Sequence, residues 1–142
     1  MLVSQILKEK GANVFTASPN ETVGAAAALL HSRRVGAMVI MDGERVIGIL
    51  SERDVVRVVA EEGAGALQRT VAACMTRDVV FAEPGETVDA LMGRMTDRRL
   101  RHLPVCIDDR LVGIVSIGDL VKSKIAETEA EAEGLKAYIA TG

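Results

Sequence analysis

Two short stretches pair a hydroxyl with a carboxylate three residues on: Ser51-Glu-Arg-Asp54 and Ser116-Ile-Gly-Asp119. Each follows Gly-Ile and one aliphatic residue, so Gly-Ile-x-Ser-x-x-Asp is written twice. A carboxylate at a helix start, beside the open end of a strand, can accept hydrogen bonds from the vicinal hydroxyls of a ribose. The same two residues can also serve the helix itself, since serine at the N-cap with an acid three positions on is the pattern of a capping box. The usual partner there is Glu or Gln, and aspartate reaches back less well. Both readings stay open on these residues alone.

Catalytic alternatives find little material. Gly113-Ile-Val-Ser116-Ile-Gly118 has the wrong spacing for a nucleophile elbow, and no base is paired with that serine. Walker-type loops are absent, and Gly63-Ala-Gly65 lacks the third glycine of a dinucleotide fingerprint. Two distant histidines do not make a metal site. Phosphate chemistry falls to the arginines. Arg33, Arg34, Arg98 and Arg99 stand near helix ends, where the helix dipole alone accounts for a cation. Arg101 and His102 lie just beyond a helix, entering a strand, where a guanidinium fork beside imidazole suits phosphate oxygens. Arg53 lies inside the first motif.

The elements that position these groups are themselves duplicated. Residues 79–122 align with residues 14–57 at a constant offset and without a gap, matching Pro19 to Pro84, Glu21-Thr-Val23 to Glu86-Thr-Val88, Arg33-Arg34 to Arg98-Arg99, and Gly48-Ile49 to Gly113-Ile114. Each copy predicts β-α-β-β-α: a brief strand at Val14–Thr16, a helix over about 22–32, strands at 37–41 and 45–50 around the Asp42-Gly43 turn, and a helix from Ser51 to about Glu62. A three-stranded layer with helices on one face is too thin to bury both sides, so two units must pack together. Val3, Ile6 and Leu7 predict a lead-in helix stopped at Gly11. The boundaries read 1–62 for the first unit, 63–70 for a glycine-punctuated linker and 71–142 for the second unit. The last helix extends to about Ala140, with Val121, Ile125, Thr128, Ala132, Leu135 and Ile139 at alternating four- and three-residue spacing. That stripe predicts either packing on the body of the same chain or dimerisation. Glutamates 127, 129, 131 and 133 read as a solvated face.

Composition narrows the partners. A net charge of -3 offers no positive field for nucleic acid or an anionic membrane, and one Tyr with two Phe supply almost no base-stacking surface. The longest apolar runs fall far short of the roughly 18 residues of a membrane span. The N-terminus lacks the pattern of a signal peptide, and isolated Cys74 and Cys106 argue against a disulfide framework; both features point to the cytoplasm.

The doubled unit, its Gly-Ile-x-Ser-x-x-Asp motif and Arg101-His-Leu-Pro-Val105 resemble the tandem cystathionine-β-synthase-type (CBS) domain pair, or Bateman module, of the small stand-alone bacterial type. The resemblance covers essentially the whole chain. It implies a mixed α/β (α+β) fold of two units about a pseudo-twofold axis, with two clefts able to hold an adenosine-containing ligand such as AMP, ATP or NAD(H), without a metal. Ser51 with Asp54, and Ser116 with Asp119, would hold ribose. Val14, Thr16, Val79, Val80 and Phe81 would line the base pockets, with Ile117 beside a base or nicotinamide ring. Arg53, Arg101, His102, Arg34 and Arg99 would meet phosphate. The expected function is a non-catalytic regulatory sensor, homodimeric and signalling to a protein partner in trans. A ligand-free interaction scaffold and a weak nucleotide-converting enzyme are the alternatives. Arg53 with Glu52 makes the first motif polar, whereas Ile117 and Gly118, with Arg101-His102 nearby, set the second apart.

Overall fold

The computed structural model describes residues 1–11 and 13–141; Ala12 and Gly142, which fall within the two expected units, lie outside the described residues. In chain order the elements are α1 (Val3–Lys10), β1 (Thr16–Ala17), α2 (Val23–Arg33), β2 (Ala37–Asp42), β3 (Arg45–Ser51), α3 (Glu52–Glu62), a 3-10 helix (Gly63–Gln68), α4 (Val71–Cys74), α5 (Val88–Arg98), β4 (His102–Ile107), β5 (Arg110–Ser116) and α6 (Ile117–Thr141). This is a mixed α/β architecture of two like units. The first sheet has order β1-β2-β3, with β1 parallel to β2 and β2 antiparallel to β3. In the second, β4 pairs antiparallel with β5, and the expected third strand shrinks to a single parallel bridge between Ala82 and Val105. The copies share fine detail: the register shifts between Ile40 and Met41 in β2 and at the matching Val105 and Cys106 in β4.

Packing crosses the chain order. Val3 and Ile6 of α1 are buried with Val88, Leu91, Met95, Leu103 and Leu120 in the second core. Val71, Cys74 and Met75 are buried with Val23, Leu30, Met38 and Leu50 in the first. The glycines of the motif strands admit these exchanged segments: a Cβ on Gly113 would collide with Leu7, and one on Gly48 with Met75. Residues 63–68, which read as a linker, coil into the 3-10 helix and bury Ala66 in the first core. Each lead-in segment therefore belongs by packing to the other copy.

α6 begins on the second core through Leu120, then leaves the body. Ile125 is 54% exposed, Leu135 60% and Ile139 68%, so the distal stripe does not pack on its own chain. Cys74 and Cys106 carry free thiols, the former buried and the latter half-buried. No helix among the described residues is long and apolar enough to cross a membrane.

Candidate nucleotide cleft

Both serine–aspartate motifs are built the same way at the backbone. Ser51 closes β3 and caps α3: its hydroxyl accepts from the Asp54 N–H at 3.3 Å, and its own N–H donates to Asp54 Oδ2 at 2.9 Å. Ser116 and Asp119 repeat this at the start of α6, at 3.1 and 2.8 Å. The expectation that aspartate reaches back poorly is corrected: in both copies the shorter side chain comes within hydrogen-bond range of the cap N–H.

The surroundings differ. Asp54 is buried, and its carboxylate also accepts from the Ser51 hydroxyl at 3.1 Å, the Thr76 hydroxyl at 3.3 Å and Arg57 Nη2 at 3.2 Å. Thr76 is brought there by mutual backbone hydrogen bonds with Ile49, at 3.0 and 2.8 Å, that extend the edge of β3. Asp119 instead receives the Lys10 ammonium at 2.7 Å, and the same ammonium donates to the Ile114 carbonyl at 2.9 Å. Partial burial pulls the Asp119 carboxyl upward, but the Lys10 ammonium and the Ser116 hydrogen bonds outweigh it and hold the carboxyl below its ordinary value.

One cleft of about 220 Å³ opens beside the first motif. Ser51, Glu52, Arg53 and Asp54 line it from the first unit, and Thr76, Asp78, Val79, Val80, Arg99, Arg101 and His102 face them from the later part of the chain. Arg101 and His102 read as neighbours of the second motif, and by backbone they are, since His102 pairs with Ser116 across β4 and β5. Both residues nevertheless line the cleft of the first motif. Gly36 makes the room: a Cβ there would lie 2.9 Å from His102 Nε2. Burial lowers the His102 pKa, partly opposed by nearby Glu52 and reinforced by Lys10, so the ring favours its neutral form. Among the described residues, none of the ion pairs engages Arg53, Arg99 or Arg101.

The other expected site residues lie elsewhere. Phe81 does not join Val79 and Val80; it lines a separate hollow with the hairpin ends Asp42–Val46 and Asp108–Arg110. Ile117 packs against the second core. Thr16 lies exposed in β1, and Val14 just precedes it. Arg34 and Arg99 both hold left-handed backbone, each with φ 55°, as the C-caps of α2 and α5, a position glycine usually takes. Thr76, Asp78 and Lys10 were missed. The available signal was Thr76-Arg-Asp78 just ahead of Val79-Val80, a polar cluster where residues 11–13 read Gly-Ala-Asn. The described residues hold no cluster of three or more metal-ligating side chains.

The model of the CBS domain matches residues 3–61 and again residues 71–125. The chain belongs to the CBS-domain family. As a CBS pair it is 32% identical over 149 positions to the mitochondrial CBS domain-containing protein CBSX3 of Arabidopsis thaliana, spanning 99% of this chain and 72% of that one. Its fold matches the solved CBS-domain containing protein ATU1752 from Agrobacterium tumefaciens with a TM-score of 0.86 at 44% identity, over 87% of this chain and 99% of that one. The CBS domain pair of protein MJ0100, solved in complex with 5′-methylthioadenosine and S-adenosyl-L-methionine, matches with a TM-score of 0.80 at 27% identity, over 89% and 98% of the two chains.

Proposed function

We propose that this CBS pair is a regulatory module that binds an adenine nucleotide (AMP, ATP or NAD(H)) between its two units and signals its occupancy to a protein partner in trans. The observation that carries the reading is the convergence, in one cleft, of the Ser51–Asp54 motif with three arginines that join no ion pair among the described residues. Asp54 offers a ribose diol its carboxylate once Thr76 and Arg57 yield, while Ser51 keeps capping α3. Val79 and Val80 supply an apolar wall for the base. Arg53, Arg99 and Arg101, with His102, supply donors for phosphate. The adenosine compounds held by the MJ0100 pair support the ligand class. At about 220 Å³ the cleft is smaller than the ~300–1,000 Å³ of enclosing pockets, which suits a nucleotide whose phosphates stay toward solvent. Regulation further requires that the ligand prefer one conformational state over another.

Calorimetry with AMP, ATP, NAD and NADH, against adenosine as the phosphate-free control, tests the reading. Binding by at least one nucleotide, tighter than adenosine, is expected; no heat from any of them contradicts it. The capping boxes favour a purely structural role for the motif: under the ligand-free scaffold alternative the wild type binds no nucleotide, and if the motif only caps, Asp54→Ala would cost about 1 kcal/mol of stability and leave binding as it was. The exposed distal stripe of α6 supports a homodimer, and light scattering on a chain shortened to end at Lys124 should then return a monomer mass. Free Cys74 and Cys106 accord with a reducing cytoplasm.

A further inference from the structure

Duplication makes the two motifs equivalent in sequence, yet their carboxylates face different partners. At the constant offset, Met75 corresponds to Lys10 and Thr76 to Gly11. In the first unit the chain leaves α4 at Met75, and Thr76 pairs its backbone with Ile49 and adds a neutral hydroxyl to Asp54, whose cation is the half-exposed Arg57 of the same helix at 3.2 Å. In the second, α1 runs on through Lys10 to Gly11, whose N–H is spent on the Leu7 carbonyl at 2.9 Å. The Ile114 carbonyl, equivalent to that of Ile49, is satisfied by the Lys10 side chain, and the same ammonium takes the carboxylate. Lys10 thereby supplies from one side chain what backbone pairing and a threonine supply in the other copy.

We infer that Lys10 is a specificity-determining residue: its ammonium occupies the ribose-accepting face of Asp119, so an adenosine ligand selects the Ser51–Asp54 cleft over its duplicate. This rests on the proposed nucleotide reading. Lys10 and the Ser116 N–H both hold Asp119 Oδ2, so a ribose diol that takes both oxygens of this carboxylate must unseat Lys10 from Ile114 and Asp119. α1 is anchored by Val3 and Ile6 in the second core, so the lysine is delivered by a packed helix and not by a free tail. The pair is partly exposed, with about a third of the lysine side chain and a quarter of the aspartate accessible. Its displacement therefore weakens the second site by roughly two- to fivefold and does not abolish it.

The test isolates the second motif. In an Asp54→Ala background, AMP calorimetry reads the duplicate site alone, and adding Lys10→Met should tighten it by roughly two- to fivefold. Unchanged binding, weaker binding or none in either protein overturns the inference; weaker binding would mean that Lys10 contacts the ligand itself. A single cooperative thermal transition checks that Lys10→Met folds. Independently of any substitution, amide exchange on the wild type, with AMP just sufficient to fill the tighter site, should protect the Ser51–Asp54 amides and leave Ser116–Asp119 and the end of α1 unchanged. Equal protection of both motifs contradicts it. Failure of the nucleotide reading looks different, with wild type taking up no AMP at all.

Discussion

The two copies of Gly-Ile-x-Ser-x-x-Asp share a capping geometry to within a few tenths of an ångström, yet one faces a cleft lined by arginines that join no ion pair among the described residues and the other faces the Lys10 ammonium. The cap depends on neighbouring positions along the chain, which duplication copies faithfully. The environment depends on what arrives from elsewhere: β4 and the segment after α4 at the first motif, the end of α1 at the second. A repeated motif thus preserves its local structural role while its binding role diverges through its partners.

The largest expected separation of the two comes from removing each carboxylate. Asp54→Ala should weaken binding at the first cleft by about 100-fold, because two charge-assisted hydrogen bonds at roughly 1.5 kcal/mol each are lost, leaving only the weaker duplicate site to take up AMP. Asp119→Ala should change overall affinity less than about twofold. Calorimetry on both variants checks this, and equal losses would erase the distinction.

The arginines sharpen it next. Arg101→Ala should cost roughly tenfold in affinity for AMP and little for adenosine, since one charged contact to phosphate is worth about 1.5 kcal/mol. Arg34→Ala, outside the cleft, should cost nothing. The left-handed caps give a smaller contrast. Arg34→Gly and Arg99→Gly should each stabilise the fold by up to about 1 kcal/mol in thermal unfolding, by relieving the left-handed strain. Only Arg99→Gly should also weaken AMP. Strain kept at Arg99 then has a use that strain at Arg34 lacks.

The smallest effect is that of pH at His102, which faces Glu52 and lies near Lys10, Asp119 and Arg101. Its folded pKa lies below the ordinary value of about 6.5, so its stability contribution is intact above that pH and falls as pH drops below it toward the folded value. His102→Gln should flatten that decline in melts between pH 8 and 5. Phosphate reverses the preference, so AMP should bind with proton uptake and more tightly as pH falls, which calorimetry in buffers of different ionisation heat detects.

Much of this was legible in the sequence because it is local. Offset identity gave the duplication, apolar spacing gave the helices, and Ser-x-x-Asp gave the caps. What escaped is what side chains do across the molecule. Val3, Ile6 and Leu7 announce a buried face on α1 without saying that the second core buries it, and the reach of Lys10 follows from that exchange. Arg101 and His102 are backbone neighbours of Ser116, so proximity in sequence pointed to the second motif; the space left by Gly36 turns His102 toward the first. Val79-Val80-Phe81 reads as one strand lining one pocket, but the second sheet retains only the Ala82 bridge there and Phe81 lines another hollow. The departure of α6 from the body after Glu127 leaves the distal stripe open, which heptad spacing alone did not decide.

The central claim is that the ligand sits at the Ser51–Asp54 motif with its phosphate among arginines of both units. A crystal structure with AMP at a concentration filling the tighter site tests it most directly. The account predicts ribose hydroxyls on Asp54, phosphate oxygens on Arg53, Arg99 or Arg101, and Lys10 still on Asp119. A ribose on Asp119 with the first cleft empty would contradict it.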